Sequence, residues 1–208
     1  KMSKSMGNVI DPQELLKEFG AEAIRMWAGI EGDLSKGDDA CSKDKIKAEL
    51  KTLNKILNVS RFVMQFEKPE KAKLTDLDKL MIDYIDDLTK RADENYEKYE
   101  FQEITKELRY FMWEIFASNY IELVKNRAYN QEGNFTDEES QSAKHTLYYL
   151  VERFLVLIYP VIPQITSVIG KELNLDLLEI KWPEYPKKIE SDLKLIEKVM
   201  EFNSLIWK

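Results

Sequence analysis

The first five residues of the chain, Lys1-Met2-Ser3-Lys4-Ser5, place two lysines and two serines in one short segment. Ammonium groups on flexible stems act as mobile point charges, so Lys1 and Lys4 suit a polyphosphate and can stabilise charge that develops as a phosphate leaves. Ser3 and Ser5 add hydroxyl and backbone donors for the same oxygens. Five such residues also describe an ordinary solvated basic segment, so this pattern alone leaves both interpretations open.

The residues that follow have the signals of two short helices. Asp11 is a typical N-cap, and Pro12 occupies the first helical position. Gly20 is expected to end this helix as a left-handed C′ residue, and a second short helix is predicted from residue 21 to about 29. Together with a basic loop, a short extended piece and a turn-rich connector, these signals predict a small α+β region over residues 1–42.

From Lys43 onward, apolar residues recur three, four or seven positions apart, which is typical of long amphipathic helices. The connections between these helices are short, so residues 43–208 are predicted to form an antiparallel helical bundle. The fold class is therefore mainly α. Residues 177–182 could be a short strand or an extended connector. The predicted helices cover about 43–64, 75–92, 104–124, 147–158, 161–170 and the segment after 189.

Composition excludes several classes of protein. The chain has 208 residues, with 31 basic and 38 acidic side chains and a net charge of −7. This balance argues against coating of nucleic acid through bulk charge but is compatible with a local basic site. The single Cys (Cys41) and single His (His145) exclude a zinc site built from four such ligands and a disulfide within the chain, so we expect no metal site.

The longest apolar run, Phe154–Pro163, is much shorter than the about 20 residues that span a membrane, and the chain start lacks an apolar signal segment. We therefore expect a protein without membrane contact, in a reducing, cytoplasmic setting. The chain begins with Lys1, and its last helix runs to Lys208 without a stop signal. For this reason we expect it to be a piece of a longer protein.

Residues 1–5 are the start of a longer motif. Residues 1–12, KMSKSMGNVIDP, resemble the second signature of class I aminoacyl-tRNA synthetases. Residues 19–25, FGAEAIR, are similar to the segment that follows this signature in the valyl, isoleucyl, leucyl and methionyl subgroup. Within the subgroup, residues 111–129 are most similar to valyl enzymes. Residues 182–184 resemble a piece that closes the anticodon-binding domain there, and residues 201–208 resemble valyl enzymes of archaeal type.

The resemblance implies that the parent protein attaches valine to its tRNA with ATP. Residues 1–5 would form a mobile ATP loop, in which Lys4 is the chief catalytic stabiliser of the pyrophosphate and Lys1 supports it. Mg²⁺ would arrive with ATP, and neither is expected to bind tightly to this fragment. Residues 1–42 would complete the catalytic core and a stem-contact region, and residues 43–208 would form the anticodon-binding domain. The other class I signature, His-x-Gly-His, is absent, so the fragment alone is expected to be inactive.

Four residues are candidates for tRNA contact. Arg25 is a candidate for the stem, Trp113 for base stacking, and Lys125 and Arg127 for the backbone near a predicted helix end. Each has a structural alternative: Arg25 in an intramolecular ion pair, Trp113 in the core, and the two cations complementing the helix dipole. We expect a basic face that includes Lys125 and Arg127 and lies opposite acidic surfaces.

Two other interpretations remain open at this stage. The chain could be the same region of an isoleucyl or methionyl enzyme. It could also be a helical protein-interaction module with an exposed apolar stripe, which would explain the bundle but not residues 1–25. The expected partners are tRNA, with valine tRNA first, and the N-terminal catalytic and editing domains that the chain lacks. We expect a monomer.

Overall fold

The computed structural model describes residue 5, residues 10–32 and residues 41–206, and its regular structure is helical. No β-strand occurs within these described residues, so the predicted mainly α class is confirmed. The helices are α1 (Pro12–Glu31), α2 (Lys43–Val63), α3 (Asp76–Glu97), α4 (Phe101–Tyr110), a π-helix (Phe111–Tyr120), α5 (Ile121–Tyr129), α6 (Asp137–Ile158), α7 (Pro163–Glu172) and α8 (Leu195–Ile206).

Helix α1 begins as predicted and is bent in the middle. The Asp11 side chain accepts a hydrogen bond from the Gln13 backbone N–H at 2.9 Å. Gly20 has the expected positive φ of 77°, but its ψ of 163° is extended rather than left-handed helical, so two helical segments meet there at an angle. The short extended piece predicted within residues 1–10 lies almost wholly outside the described residues, and residues 10–32 contain no strand.

The four long segments of the bundle run antiparallel in chain order, as predicted. The rings of Tyr96 and Phe101 meet at 5.5 Å where α3 turns into α4, and Arg127 contacts Asp78 at the other end of the same pair. This arrangement gives the bundle two ends. We call the end that holds residues 63–76 and 129–137 the distal end, and the end that holds residues 97–101 and 158–163 the proximal end.

The helix predicted over residues 104–124 is a continuous helical segment over residues 101–129 with a π-helical middle. The Ser118 hydroxyl and the Asn119 amide each donate to a carbonyl five residues earlier, at 2.7 and 2.8 Å. These bonds match the wider π turn and leave the helix axis unbroken. The sequence pattern did not predict the π-helix, because apolar residues cover a wide arc of this segment and the number of residues per turn cannot be read from their spacing.

One hydrophobic core joins the bundle to α1. Ala23 and Met26 of α1 are fully buried in the same cluster as Phe111 and Phe154 of the bundle. Residues 173–194 form an irregular connector between α7 and α8, so the alternative of a strand at residues 177–182 is wrong.

Candidate functional site

The distal end carries a small pocket rich in amides and aromatic rings. It has a volume of about 270 Å³ and opens beside the end of α5. Tyr129 and Phe135 are exposed there by 43% and 36%. Amides can read the edges of unstacked bases, and aromatic rings can stack on their faces. The lining residues are Asn126, Tyr129, Asn130, Gln131, Glu132, Asn134 and Phe135.

The loop around this pocket is preformed by its own hydrogen bonds. Asn130 adopts the left-handed conformation (φ 46°, ψ 36°) that Asn tolerates better than most residues. Its side-chain amide donates to the Phe135 carbonyl at 2.9 Å and accepts from the Phe135 N–H at 3.1 Å. Thr136 and Glu139 then start α6 with a reciprocal capping box. These bonds to Thr136 lower the pKa of the Glu139 carboxyl.

An aromatic cluster holds Tyr129 in place below the pocket. The ring of Tyr129 lies 4.9 Å from that of Phe66 and 6.1 Å from that of Phe62, both in edge-on geometry. Its hydroxyl donates to Gln65 at 2.9 Å. Because packing and a hydrogen bond both fix the ring, its exposed face is already oriented toward solvent.

Helix α2 leads to this pocket with a polar stripe over residues 47–61, which begins one turn after the exposed Asp44. Lys47, Lys51, Asn54, Asn58 and Arg61 are exposed and follow one another at alternating steps of four and three, so they lie on one helix face. Lys47 and Arg61 are separated by about 21 Å along the axis. None of the three cations has an ion-pair partner within the described residues. We call these five residues the α2 stripe.

Within residues 47–61 of α2 the one acid is Glu49, and it is neutralised inside the protein. Glu49 is buried, and its carboxylate accepts from Arg109 Nε and from the Thr52 hydroxyl, each at 2.9 Å. Arg109 therefore balances the negative charge that α2 carries on its inner face. Over residues 47–61, the exposed charges of α2 are those of the lysines and Arg61, which favours binding of an anionic chain.

Trp113 lies beside the α2 stripe but is not an open stacking platform. It is half-buried, its indole N–H donates to the Thr52 hydroxyl at 3.0 Å, and the Lys55 ammonium lies 4.6 Å from the ring centre. A cation over the ring competes with a stacking base. The geometry thus favours a packing role for Trp113 rather than base stacking. Lys55, which is on α2, adds a positive charge beside the α2 stripe.

Lys125 and Arg127 do not form the expected basic face. Lys125 is ion-paired with Glu122 at 2.6 Å, one turn earlier on the same helix. Arg127 is only 9% exposed, and its guanidinium donates to Asp78 at 2.6 Å and to the Thr75 hydroxyl at 2.9 Å. A basic groove containing both residues is absent from the described part of the chain, because both charges are already compensated by neighbouring acids.

The Asp78 carboxylate is the centre of a buried polar network. It is fully buried and accepts from Arg127, from the Tyr120 hydroxyl at 2.6 Å and from the Ser142 hydroxyl. Burial, followed by the adjacent Asp78 charge, raises the pKa of Tyr120 well above its usual value. The network joins α3, the π-helix, α5 and α6, so Arg127 holds the distal end together.

Arg25 also has intramolecular partners, although it forms no ion pair with any residue in the described ranges. Its guanidinium donates to the carbonyls of Val161 and Pro160 at 2.8 and 3.0 Å. Of the predicted ATP loop, Lys1, Met2, Ser3 and Lys4 lie outside the described residues, and Ser5 is exposed. The structure therefore adds no geometry for the phosphate chemistry predicted for that segment.

The sequence analysis missed the α2 stripe and the distal pocket. The stripe has a sequence signal, since polar residues at steps of four and three without an acid predict one solvent-facing basic row. The pocket has none, because Tyr129 and Phe135 are brought together by the turn at Asn130. In the described part of the chain, no helix is long and apolar enough to span a bilayer, and no cluster of His, Cys, Asp and Glu could hold a metal ion.

A helical bundle with a basic row that leads to an amide and aromatic pocket has the features of an RNA-loop-binding domain. Residues 78–208 match the family described as the anticodon-binding domain of tRNA ligase, and residues 1–37 match the class I tRNA synthetases for Ile, Leu, Met and Val. The chain belongs to the family of anticodon-binding domains of tRNA ligases.

Curated relatives give a finer comparison. The chain is 35% identical over 210 residues to the valine–tRNA ligase of Nanoarchaeum equitans, covering 100% of this chain and 27% of that protein. It is 34% identical over 213 residues to the valine–tRNA ligase of Aeropyrum pernix, covering 99% and 26%. The chain thus spans about a quarter of the length of these relatives.

Solved structures support the fold. Methionyl-tRNA synthetase of Mycobacterium tuberculosis in complex with methionyl-adenylate matches with a TM-score of 0.64 and 20% identity, over 84% of this chain and 35% of that one. The apo form of the same enzyme matches with a TM-score of 0.65 and 16% identity, over 88% and 41%. At such identities the match concerns the fold alone.

Proposed function

We propose that this chain is the tRNA-binding C-terminal part of a valine–tRNA ligase and that it holds the anticodon arm through the α2 stripe and the distal pocket. The observation that carries the proposal is the row of exposed cations and amides over residues 47–61 of α2, whose cations have no ion-pair partner among the residues that the structure describes and which ends at preformed amides and aromatic rings. An acidic protein can bind RNA when its cations are segregated in this way.

The two parts of the surface have different tasks. Lys47, Lys51 and Arg61 contact phosphates of the anticodon stem and loop, which gives affinity without sequence information. The pocket receives an unstacked base of the loop, with Tyr129 and Phe135 on its face and amides at its edges. This division predicts that the stripe governs salt dependence and that the pocket governs discrimination between anticodons.

The activity of the parent protein is part of the same proposal. Lys1, Met2, Ser3, Lys4 and Ser5 would bind ATP, with Lys4 and Lys1 acting on the departing pyrophosphate and Mg²⁺ arriving with ATP. Residues 1–42 would end the catalytic core and the stem-contact region, and residues 43–208 would bind the anticodon. The chain alone would not aminoacylate.

Valine is favoured over isoleucine or methionine because the relatives that match the chain over nearly all its length are valine–tRNA ligases. We therefore propose tRNA of the valine type as the main partner, the remaining domains of the same ligase as the second, a monomeric state and a cytoplasmic location. The interaction-module alternative loses support, because it accounts for neither the α2 stripe nor residues 1–25.

The test is a titration of the 208-residue chain with valine tRNA transcripts at several salt concentrations. We expect Lys51→Glu to weaken binding by roughly tenfold and to reduce the salt slope by about 1, because one phosphate contact is lost. Lys198→Glu is the matched control, since Lys198 is also exposed and helical but lies on α8. Equal losses for the two variants would remove the α2 stripe from the binding surface.

A second comparison tests the pocket. Phe135→Ala should weaken binding of the native transcript by roughly fivefold or more through lost stacking, but should leave a transcript with a changed anticodon nearly unaffected. The difference in affinity between the two transcripts should therefore shrink. If the variant weakens both transcripts by the same factor, the pocket does not read the anticodon.

A further inference from the structure

Helix α1 supplies the N-terminal cap that α7 lacks. The residue at the N-cap position of α7 is Ile162, whose side chain has no oxygen to accept from the first free N–H groups. The Glu22 carboxylate of α1 accepts instead from the Ile165 N–H, at 3.1 Å and a sequence separation of 143 residues. A carboxylate at a helix N-terminus is also favoured by the helix dipole.

One turn further along α1, Arg25 contacts the turn that precedes α7, and its charge is opposite to that of Glu22. Its Nε donates to the Val161 carbonyl at 2.8 Å and its Nη2 to the Pro160 carbonyl at 3.0 Å. These carbonyls belong to the turn between α6 and α7, which follows the C-terminus of α6. The planar guanidinium therefore satisfies two backbone acceptors at once and fixes their direction.

Gly29 brings α1 into close contact at the same corner. A Cβ atom at this position would lie 3.2 Å from Val161 and 3.2 Å from Thr105 of α4. Glu22, Arg25 and Gly29 follow at steps of three and four, so they form one row on α1. We call Glu22 and Arg25, with their backbone partners at residues 160, 161 and 165, the α1 clamp.

Other contacts of α1 lack this directional character. Its apolar face is buried in the core, where hydrophobic attraction has no preferred direction, whereas a hydrogen bond has a preferred geometry. The ion pairs Glu18–Lys43 and Glu31–Lys45 join it to α2, but their side chains are largely exposed and such pairs contribute little. The α1 clamp thus adds hydrogen bonds of defined direction to the apolar packing between α1 and the bundle.

We propose that Glu22 and Arg25 are positioning residues, which hold residues 21–31 of α1 in a fixed orientation to the tRNA-binding bundle, and that this helix is the covalent link between the ATP motif and that bundle. This inference rests on the proposed function. In the sequence, the ATP motif at residues 1–5 precedes α1 by six residues, and the α2 stripe lies on the bundle to which α1 is clamped. The clamp therefore aligns a tRNA held at the distal end with the site of aminoacyl transfer, without touching either substrate.

The test uses the full-length ligase with Arg25→Ala and Glu22→Gln. We expect kcat for tRNA charging to fall by about tenfold, which corresponds to ~1.4 kcal/mol, with KM for tRNA changed less than twofold. Valine-dependent exchange between ATP and pyrophosphate, which needs no tRNA, should stay within twofold. The fall in kcat should be smaller for Arg25→Lys than for Arg25→Ala, because a lysine ammonium can still donate to one of the two carbonyls. Lys17→Ala is the control, since Lys17 is an exposed α1 cation without a partner within the described residues.

Two outcomes would overturn the inference. Unchanged charging by Arg25→Ala would show that the clamp does not position the two regions, and an equal fall of charging and exchange would show that it only maintains the fold. Lys51→Glu is measured in the same protein to keep the two proposals apart. If Lys51→Glu weakens tRNA binding while Arg25→Ala has no effect, only the clamp fails; if Lys51→Glu has no effect, the proposed function fails.

Discussion

Replacing Arg127 with Met should destabilise the chain by about 3–5 kcal/mol, because it leaves the Asp78 carboxylate buried without its cation. The structure supports the upper part of the usual range for single substitutions: Asp78 is fully buried, and the ion pair is short, at 2.6 Å. For a chain of this size, such a loss lowers the melting temperature by roughly 6–20 °C.

The assay is urea unfolding followed by circular dichroism, with tRNA titration of the same variants. Lys125→Met is the matched control, because Lys125 is on the same helix but its pair with Glu122 is half-exposed and is worth less than about 1 kcal/mol. Asp78→Asn in the Arg127→Met background should recover at least about 1 kcal/mol, since the uncompensated charge is then removed.

The result that would refute this reasoning is a stable Arg127→Met variant with weakened tRNA binding. That outcome would mean that the guanidinium is available to RNA, as the sequence analysis expected, and that Asp78 does not need it. A large loss of stability that Asp78→Asn does not relieve would also contradict the argument, because the cost would then come from lost packing.

Two further predictions concern titration and loop geometry. Burial raises the pKa of Tyr96 and of Tyr120, whereas tyrosines of the unfolded chain ionise near pH ~10. The contribution of these two protonated hydroxyls to the free energy of unfolding is therefore fully present below pH ~10 and is lost as the pH rises above it. Between pH 8.5 and 11, the urea concentration at the midpoint of unfolding should fall less steeply with pH for Tyr96→Phe than for the unchanged chain. Identical slopes for the two proteins would contradict this. Asn130→Ala should cost about 2 kcal/mol, from two lost hydrogen bonds to Phe135 and a left-handed backbone, and Asn130→Gly about half as much. Equal costs in thermal melts would show that backbone conformation is not part of the effect.

The sequence predicted the helical elements well where the apolar period was clean. Asp11 begins α1 and Gly20 bends it, because capping and positive φ are local properties of the chain. The π register of residues 111–120 was not predictable, since backbone bonds to the carbonyl five residues earlier require no particular residue type. A pattern with apolar residues on a wide arc fits both helix types equally well.

For the candidate site, the sequence pattern and the folded chain point to different residues. Arg127 and Lys125 are cations near a helix end, which is a local signal for RNA contact and for dipole compensation alike. The choice between these roles depends on whether an acid lies within reach. For Arg127 that acid is Asp78, 49 residues earlier in the chain, and no local pattern predicts this pairing.

By itself, the sequence determined the helical class, the family resemblance and the alternation of polar and apolar faces, because these follow from residue types at short spacing. The tertiary structure decided which charges remain free. It neutralised Glu49, Arg127 and Lys125 through their neighbours, left the α2 stripe exposed, and brought Glu22 and Arg25 to a turn more than 130 residues away. Electrostatic interactions act through space, so their balance becomes defined only when the chain is folded.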